Sequence, residues 1–350
     1  MSSTLFEFAG QLRLRVTGDA AAIGHARREY GPAEVLDAGP VDLQVDFGPI
    51  GEGAARVTAG LPAPTPAPVP GRGGHKTVGW RTDLGKPADA PLLARIETSG
   101  WPASFARSLV QGYVVEPLLS VAAARRGIVL LPGAGIVLDD GLVLLLGRSR
   151  SGKSTLAARA LTAGRDVLGD DQLFVGSDGS AWPFPRSLRF YPDLVRTAPT
   201  AYAGLGRRTR AGLRLRAVLA RVSAGYVRPS LAIDGAELGL RWNPEARPIA
   251  RLVLIERDAA ESDLDVASSS TEQALEWAAQ LLREQRSRLA ILGGEAWRTA
   301  IEHAADIERR VLGQCFDGLP VDRLAIPGSW DAPTAVAATA RWLAIDQPGQ

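Results

Sequence analysis

The apolar run Leu142–Leu146 ends at Gly147, and Arg148-Ser149-Arg150-Ser151-Gly152-Lys153-Ser154 follows it directly. Gly147 to Ser154 therefore spells G-x-x-x-x-G-K-S, and Thr155–Ala163 behind it reads as a helix that stops at Gly164. Strand, glycine-bounded loop and helix in that order turn backbone N–H groups toward a phosphate, with the helix N-terminus adding partial positive charge. Glycine lets the backbone approach phosphate oxygens with no Cβ in the way. With Gly at 38 of 350 positions, only three lysines and Ser/Thr at roughly one position in eight, about 0.4% of shuffled chains would contain the pattern. In such a loop Gly147, Ser149, Ser151, Gly152, Lys153, Ser154 and Thr155 hold the nucleotide phosphates. Lys153 reaches the β- and γ-phosphates, and the Ser154 hydroxyl completes a Mg²⁺ shell. The implied cofactors are ATP and Mg²⁺. Arg150 stands where many such loops carry glycine.

Arg165–Gly169 can form the next strand, and it ends in Asp170-Asp171. A carboxylate at a strand end beside the loop is where Mg²⁺ is held. Two adjacent carboxylates allow a division of labour, with one on the metal and one taking a proton from an attacking hydroxyl. That favours phosphoryl transfer to an alcohol over a switch or transport role. Neither an LSGGQ-type signature nor an NKxD base-reading motif occurs downstream.

The remainder of the chain alternates extended and helical segments, which predicts an α/β layer architecture. Gln11–Val16 and Val41–Phe47 alternate apolar and polar residues as half-buried strands do. Prolines at every second position from Pro62 to Pro70 predict a surface loop or stiff spacer over 61–74, which also takes in part of the glycine-rich segment around His75. Ala103–Arg126 has helical spacing, and Ile128–Leu131, Ile136–Leu138 and Leu142–Leu146 read as strands, with an Asp139-Asp140-Gly141 turn between the last two. Arg251–Ile255 predicts a buried strand, Thr271–Leu289 and Glu295–Leu312 two amphipathic helices, and Val321–Ile326 a strand before a helix over 332–345 capped by Asp331. These assignments place an N-terminal α+β domain over 1–125 and a nucleotide-binding domain over 126–346.

Composition narrows the partners. A formal net charge of +2 argues against a sequence-independent nucleic-acid binder. The single cysteine, Cys315, excludes an intramolecular disulfide framework. His25, His75 and His303 have no metal-ligand spacing. No apolar run approaches the ~20 residues of a membrane span, and the start has no basic, apolar leader pattern, so a cytoplasmic protein is expected. The basic run Arg207, Arg208, Arg210, Arg214, Arg216, Arg221 reads first as a solvated face and second as a groove for an acidic peptide or a substrate phosphate.

The order strand–GxSxxGKST–helix–Gly–strand–Asp-Asp, followed by Pro183-Phe184-Pro185-Arg186-Ser187-Leu188-Arg189, resembles the HPr kinase/phosphorylase-related proteins over roughly residues 115–260. The resemblance implies an α/β P-loop kinase domain with a fold like phosphoenolpyruvate carboxykinase, beside the smaller α+β N-terminal domain that would bind the acceptor or assemble the enzyme. It implies ATP-dependent transfer to a serine of a protein or peptide acceptor, with Asp170 as base and Asp171 and Ser154 on the metal. Relatives usually carry a histidine where this chain reads Leu131-Pro132-Gly133-Ala134. That departure keeps a non-catalytic ATP-binding regulator in view, with a small-metabolite kinase as a further alternative. Homo-oligomerisation stays open.

Overall fold

A computed structural model describes residues 2–37, 39–50, 72–75, 77–223, 230–258 and 261–346. The spaced prolines Pro62 to Pro70 and Lys76 lie outside the described residues. The fold is mixed α/β, and the chain divides into two compact units, Met1–Leu130 with Leu282–Leu312, and Leu131–Leu281 with Gly313–Gln350. The chain thus passes between units after residues 130, 281 and 312; the last two passages have no counterpart in a division at residue 125.

The first unit is built on a sheet of strands β1 (Ser2–Phe8), β2 (Leu12–Gly18), β3 (Glu34–Val35), β4 (Leu43–Phe47), β5 (Arg72–His75), β6 (Val78–Leu84) and β7 (Leu92–Gly100), in the order β3-β1-β2-β4-β7-β6-β5. Burial alternates along β2, with Leu12, Leu14 and Val16 inward, as period-two patterning requires. Leu14 and Val16 face Leu43 and Val45 in parallel register. Helix α1 (Ala20–Tyr30) is capped by Asp19, whose carboxylate accepts from Ala22 N at 2.7 Å. Its last residue, Tyr30, packs edge-on to Phe6 and Phe8, with ring centroids 5.5 Å away in both cases. The helical run expected from Ala103 is present as α2 (Ala103–Val110) and α3 (Glu116–Arg125), joined by a π-helical turn at Gln111–Val115.

One expectation is overturned here. The 61–74 loop does not extend to residue 74, and His75 is not in a loop. Arg72–His75 is the edge strand β5, with Gly74 opposite Gly79 and His75 opposite Val78, and the His75 ring lies 5.9 Å from Phe105. Glycines depress strand propensity, but ladder pairing with β6 outweighs it.

β8 (Ile128–Pro132) carries the chain out of the first unit. In the second unit β9 (Ala134–Leu138) and β10 (Gly141–Gly147) form the expected hairpin over Asp139-Asp140. They are followed by α4 (Lys153–Thr162), β11 (Val167–Gly169), β12 (Gln172–Gly176), β13 (Ser180–Pro183) and β14 (Leu188–Phe190). Then come the short helices α5 (Leu194–Thr197) and α6 (Pro199–Gly204), α7 (Arg207–Val222), β15 (Leu231–Ile233), β16 (Arg247–Asp258) and β17 (Asp265–Ser268). The chain closes with α8 (Thr271–Phe316), β18 (Val321–Pro327) and α9 (Ala332–Trp342). The strands run in the order β11-β9-β10-β16-β13-β12, with β18 against β16 and β17 against β18. β10, β16 and β18 are mutually parallel, which is why Leu142–Leu146 is a continuous apolar run, buried on both faces. Leu145 and Val253 belong to the same core as Leu156, Ala157 and Ala160 of α4 and Val336 and Ala340 of α9. Asp331 caps α9, accepting from Thr334 N at 3.0 Å.

The C-terminal helices agree with expectation in number and differ only at their bounds. The two expected helices are both present: the span α8, from its Ser270–Gln273 capping box to Phe316, is two helices that meet at the non-helical Gly294, so the first runs a few residues past Leu289. Its middle portion supplies the first unit with a buried ion pair. Arg286 Nη1 and Nη2 donate to Glu308 Oε1 and Oε2 at 2.9 and 2.5 Å, and the Ser120 hydroxyl donates to Oε1 at 3.4 Å. Both charged side chains are almost fully buried. Burial pushes the Glu308 carboxyl up, against the downward pull of Arg286. Glu308→Ala would strand the guanidinium out of water, so we expect a loss of about 3–5 kcal/mol in urea unfolding. The double variant Arg286→Met/Glu308→Leu, which removes both charges at similar volume, should recover most of that loss.

Candidate functional site

The phosphate-loop candidate sits where β10 ends against β16. Gly147 is the last strand residue, and a Cβ there would lie 2.6 Å from Ser151 Oγ and 2.9 Å from the Ile255 carbonyl oxygen. Gly152 has φ +101°, a region glycine enters without penalty, and serves as N-cap of α4. The two glycines that define the pattern are therefore both demanded by local geometry. Between them Ser151 N donates to Arg148 O at 3.2 Å, which closes a turn, and Arg148, Ser149 and Arg150 are exposed. Arg150 does adopt a left-handed φ of +69°, and its guanidinium lies 5.9 Å from the Tyr191 ring centroid. No side chain caps α4, so its first-turn N–H groups are not claimed by a capping residue. The helix starts at Lys153, two residues before the expected Thr155, because Gly152 already supplies the N-cap.

Lys153 is buried. Its Nζ donates to the carbonyl oxygens of Gly147 at 2.6 Å and Arg148 at 3.1 Å, with Ser151 Oγ at 3.5 Å. The ammonium is thus folded into the loop and wrapped by backbone oxygens. Burial lowers its pKa, while the negative charges of Asp171 and Asp170 oppose that shift.

Both aspartates follow β11 directly, and they occupy different environments. Asp170 is buried; its carboxylate accepts from the Ser154 hydroxyl and from the Arg189 backbone N–H, while Oδ2 has no hydrogen-bond partner. Burial, then the adjacent Asp171 charge, push its pKa up to about 6. Asp171 is half exposed, with Oδ2 held by Arg186 Nη1 at 3.0 Å, and its backbone carbonyl accepts from Gly133 N at 2.9 Å. The Ser154–Asp170 hydrogen bond is the direct link between the loop and the acid pair, and Lys153 is within the field of both acids. Thr155, one residue on, is half-buried on α4.

Two contributions carried no assigned role in the sequence. Arg186 and the Arg189 N–H both come from the 183–189 tract, which turns tightly after β13 with Arg186 N donating to Phe184 O at 2.9 Å. An arginine directly after a Pro-Phe-Pro turn at the end of a short strand is the signal that marks such a fixed guanidinium. Because the Arg186 charge also pulls the Asp170 pKa down, Arg186→Ala should shift the Asp170 titration above about 6. A carbon-13 carboxyl titration checks this; an unmoved or lowered midpoint would show the coupling is absent.

The donor set suits a hard cation. The Asp170 and Asp171 carboxylates and the Ser154 hydroxyl are all oxygen donors, the kind that hard cations take. Among the described residues no group of three or more His, Cys, Asp or Glu could hold a metal alone. Mg²⁺ characteristically needs no such cage, taking its other oxygens from phosphates and water. No helix among the described residues is long and apolar enough to cross a membrane. No protein-family model matches the chain, and no curated protein matches it in sequence.

Proposed function

We propose that the chain is an ATP-dependent kinase that transfers a phosphoryl group to a serine hydroxyl of a protein or peptide acceptor, in the manner of the HPr kinase-like proteins it resembles. The carrying observation is the Ser154–Asp170 hydrogen bond, which sets a raised-pKa carboxylate against the metal-side hydroxyl of a glycine-rich loop. On this reading the second unit is a P-loop kinase domain of the phosphoenolpyruvate carboxykinase-like class, and the protein works in the cytoplasm.

The loop N–H groups and the uncapped start of α4 bind the phosphates, and Lys153 exchanges its carbonyl partners for phosphate oxygens. Asp171 and Ser154 would hold Mg²⁺, which would supply positive charge against the phosphoryl oxygens. Arg186 stands by Asp171 and orients it. Asp170, whose Oδ2 is buried and has no hydrogen-bond partner, would accept the proton of the serine hydroxyl. A base with a pKa near 6 is ionised at neutral pH, yet basic enough to draw a proton in the transition state. Transfer should accordingly fall as pH drops through about 6.

Incubating the purified chain with labelled ATP, Mg²⁺ and serine-bearing peptides tests the proposal. Tight ATP binding with no transfer to any protein or peptide would sink it. That outcome would favour the non-catalytic regulator, which the Asp171–Arg186 ion pair supports by occupying one of the two acids.

A further inference from the structure

Helix α7 carries no acidic residue from Arg207 to Val222, and Leu213 is its one buried residue. On the face away from Leu213, the side chains of Leu215, Val218, Leu219 and Val222 are 59, 53, 47 and 81% exposed. Intervals of three and four residues gather them into one stripe. With the exposed Ala211, the positions 211, 215, 218 and 222 keep the four-three-four rhythm of a coiled-coil seam. Arg207, Arg214 and Arg221 recur every seven residues along one flank of that seam, the position whose charge selects a partner helix. None of these three makes an ion pair among the described residues; Arg214 Nε donates to the Tyr202 hydroxyl at 3.1 Å. The opposite side of the helix is anchored. Leu213 lies in the core, Arg216 Nε donates to Ser230 O at 3.0 Å, and the Thr209 hydroxyl donates to Glu237 at 3.0 Å.

From this arrangement we infer that α7 is a docking surface for an acidic amphipathic helix of a partner polypeptide. The partner's apolar seam lies on Ala211, Leu215, Val218 and Val222, and its glutamates face Arg207, Arg214 and Arg221. Charge decides the occupant. A second copy of α7 laid antiparallel would set the arginine column against itself, a like-charge contact that specific helix pairs avoid. An anionic membrane surface would be served by cations on both flanks of the stripe. Here the other flank carries Gly212 and Leu219. The surface shares no residue with the nucleotide-site candidate and does not depend on the kinase reading.

The test uses the full chain and a labelled synthetic helix of about three heptads, with leucine in the seam and glutamate on both flanks. The control peptide has lysine in place of glutamate. By fluorescence anisotropy the glutamate peptide should bind about tenfold or more tightly than the lysine peptide. The R214E/R221E double variant should invert that preference, and Val218→Asp should abolish binding of both, with thermal unfolding confirming that each variant is folded. Lys153→Ala should bind the peptide as the unaltered chain does, so a failure of ATP chemistry leaves this result standing. Equal binding of the two peptides, no binding of the glutamate peptide, or retained preference in the double variant would overturn the inference. So would adsorption to phosphatidylserine vesicles without peptide binding, or a dimer of the chain that Val218→Asp disperses.

Discussion

Lys153→Ala should remove measurable MgATP binding, a loss of at least about a hundredfold in affinity. The ammonium is enclosed by the loop, held on the Gly147 and Arg148 carbonyls at 2.6 and 3.1 Å. Two charge-assisted hydrogen bonds to phosphate are worth roughly 1.5–3 kcal/mol each, and alanine supplies neither. Arginine should not rescue it. A planar guanidinium presents its donors in a wide fork that does not fit between those carbonyls and a phosphate chain. Isothermal titration of both variants with MgATP reads the effect, and near-unaltered affinity in Lys153→Ala would remove the nucleotide assignment altogether. The unliganded variant should stay folded, because deleting a buried ammonium also deletes the desolvation that lowers its pKa.

Asp170→Asn should separate catalysis from stability. Asparagine keeps an oxygen for the Ser154 hydroxyl and the Arg189 N–H, so MgATP affinity should change less than about tenfold, while transfer falls about a thousandfold for want of a base. Stability should move the other way. The folded carboxyl titrates at about 6, above its ordinary 3.8, so the native site holds its proton more tightly than the unfolded chain does. Ionising it therefore costs stability progressively as pH rises between those values, a cost of roughly 1–3 kcal/mol that is complete by about pH 8. Thermal unfolding should find the variant more stable than the parent at about pH 8 and indistinguishable from it at about pH 4. A variant that melts lower at the higher pH would mean that the ionised Asp170 stabilises the fold, and that its burial is compensated.

Much of this site is legible in the sequence because its parts are local. Gly147, Gly152 and Lys153 belong to one loop, and Asp170-Asp171 follow one helix and one short strand later, so pattern and spacing alone place them in one βα unit. What spacing does not carry is the environment of each member. Adjacent aspartates read alike in a sequence, whereas one is buried against Ser154 and the other lies outward on Arg186. The Arg186 contact depends on how a proline-flanked turn aims a side chain. Distant pairings escape for the same reason. Arg286 and Glu308 look like two more charges on amphipathic helices until the break at Gly294 folds one segment back toward the other. Strand β5 reads as loop because its glycines say nothing of the partner strand that holds them.

The way α8 is shared between the units bears on how the protein is made. The first unit begins at the N-terminus but includes Leu282–Leu312, so it lacks a wall until most of the second unit has left the ribosome. Ser120 has no Glu308 until then. The strands β1 to β7 must therefore wait, incompletely covered, while later residues are translated. Expressing 1–130 alone should yield an aggregation-prone fragment, and supplying a 282–312 peptide in trans is the natural way to rescue it.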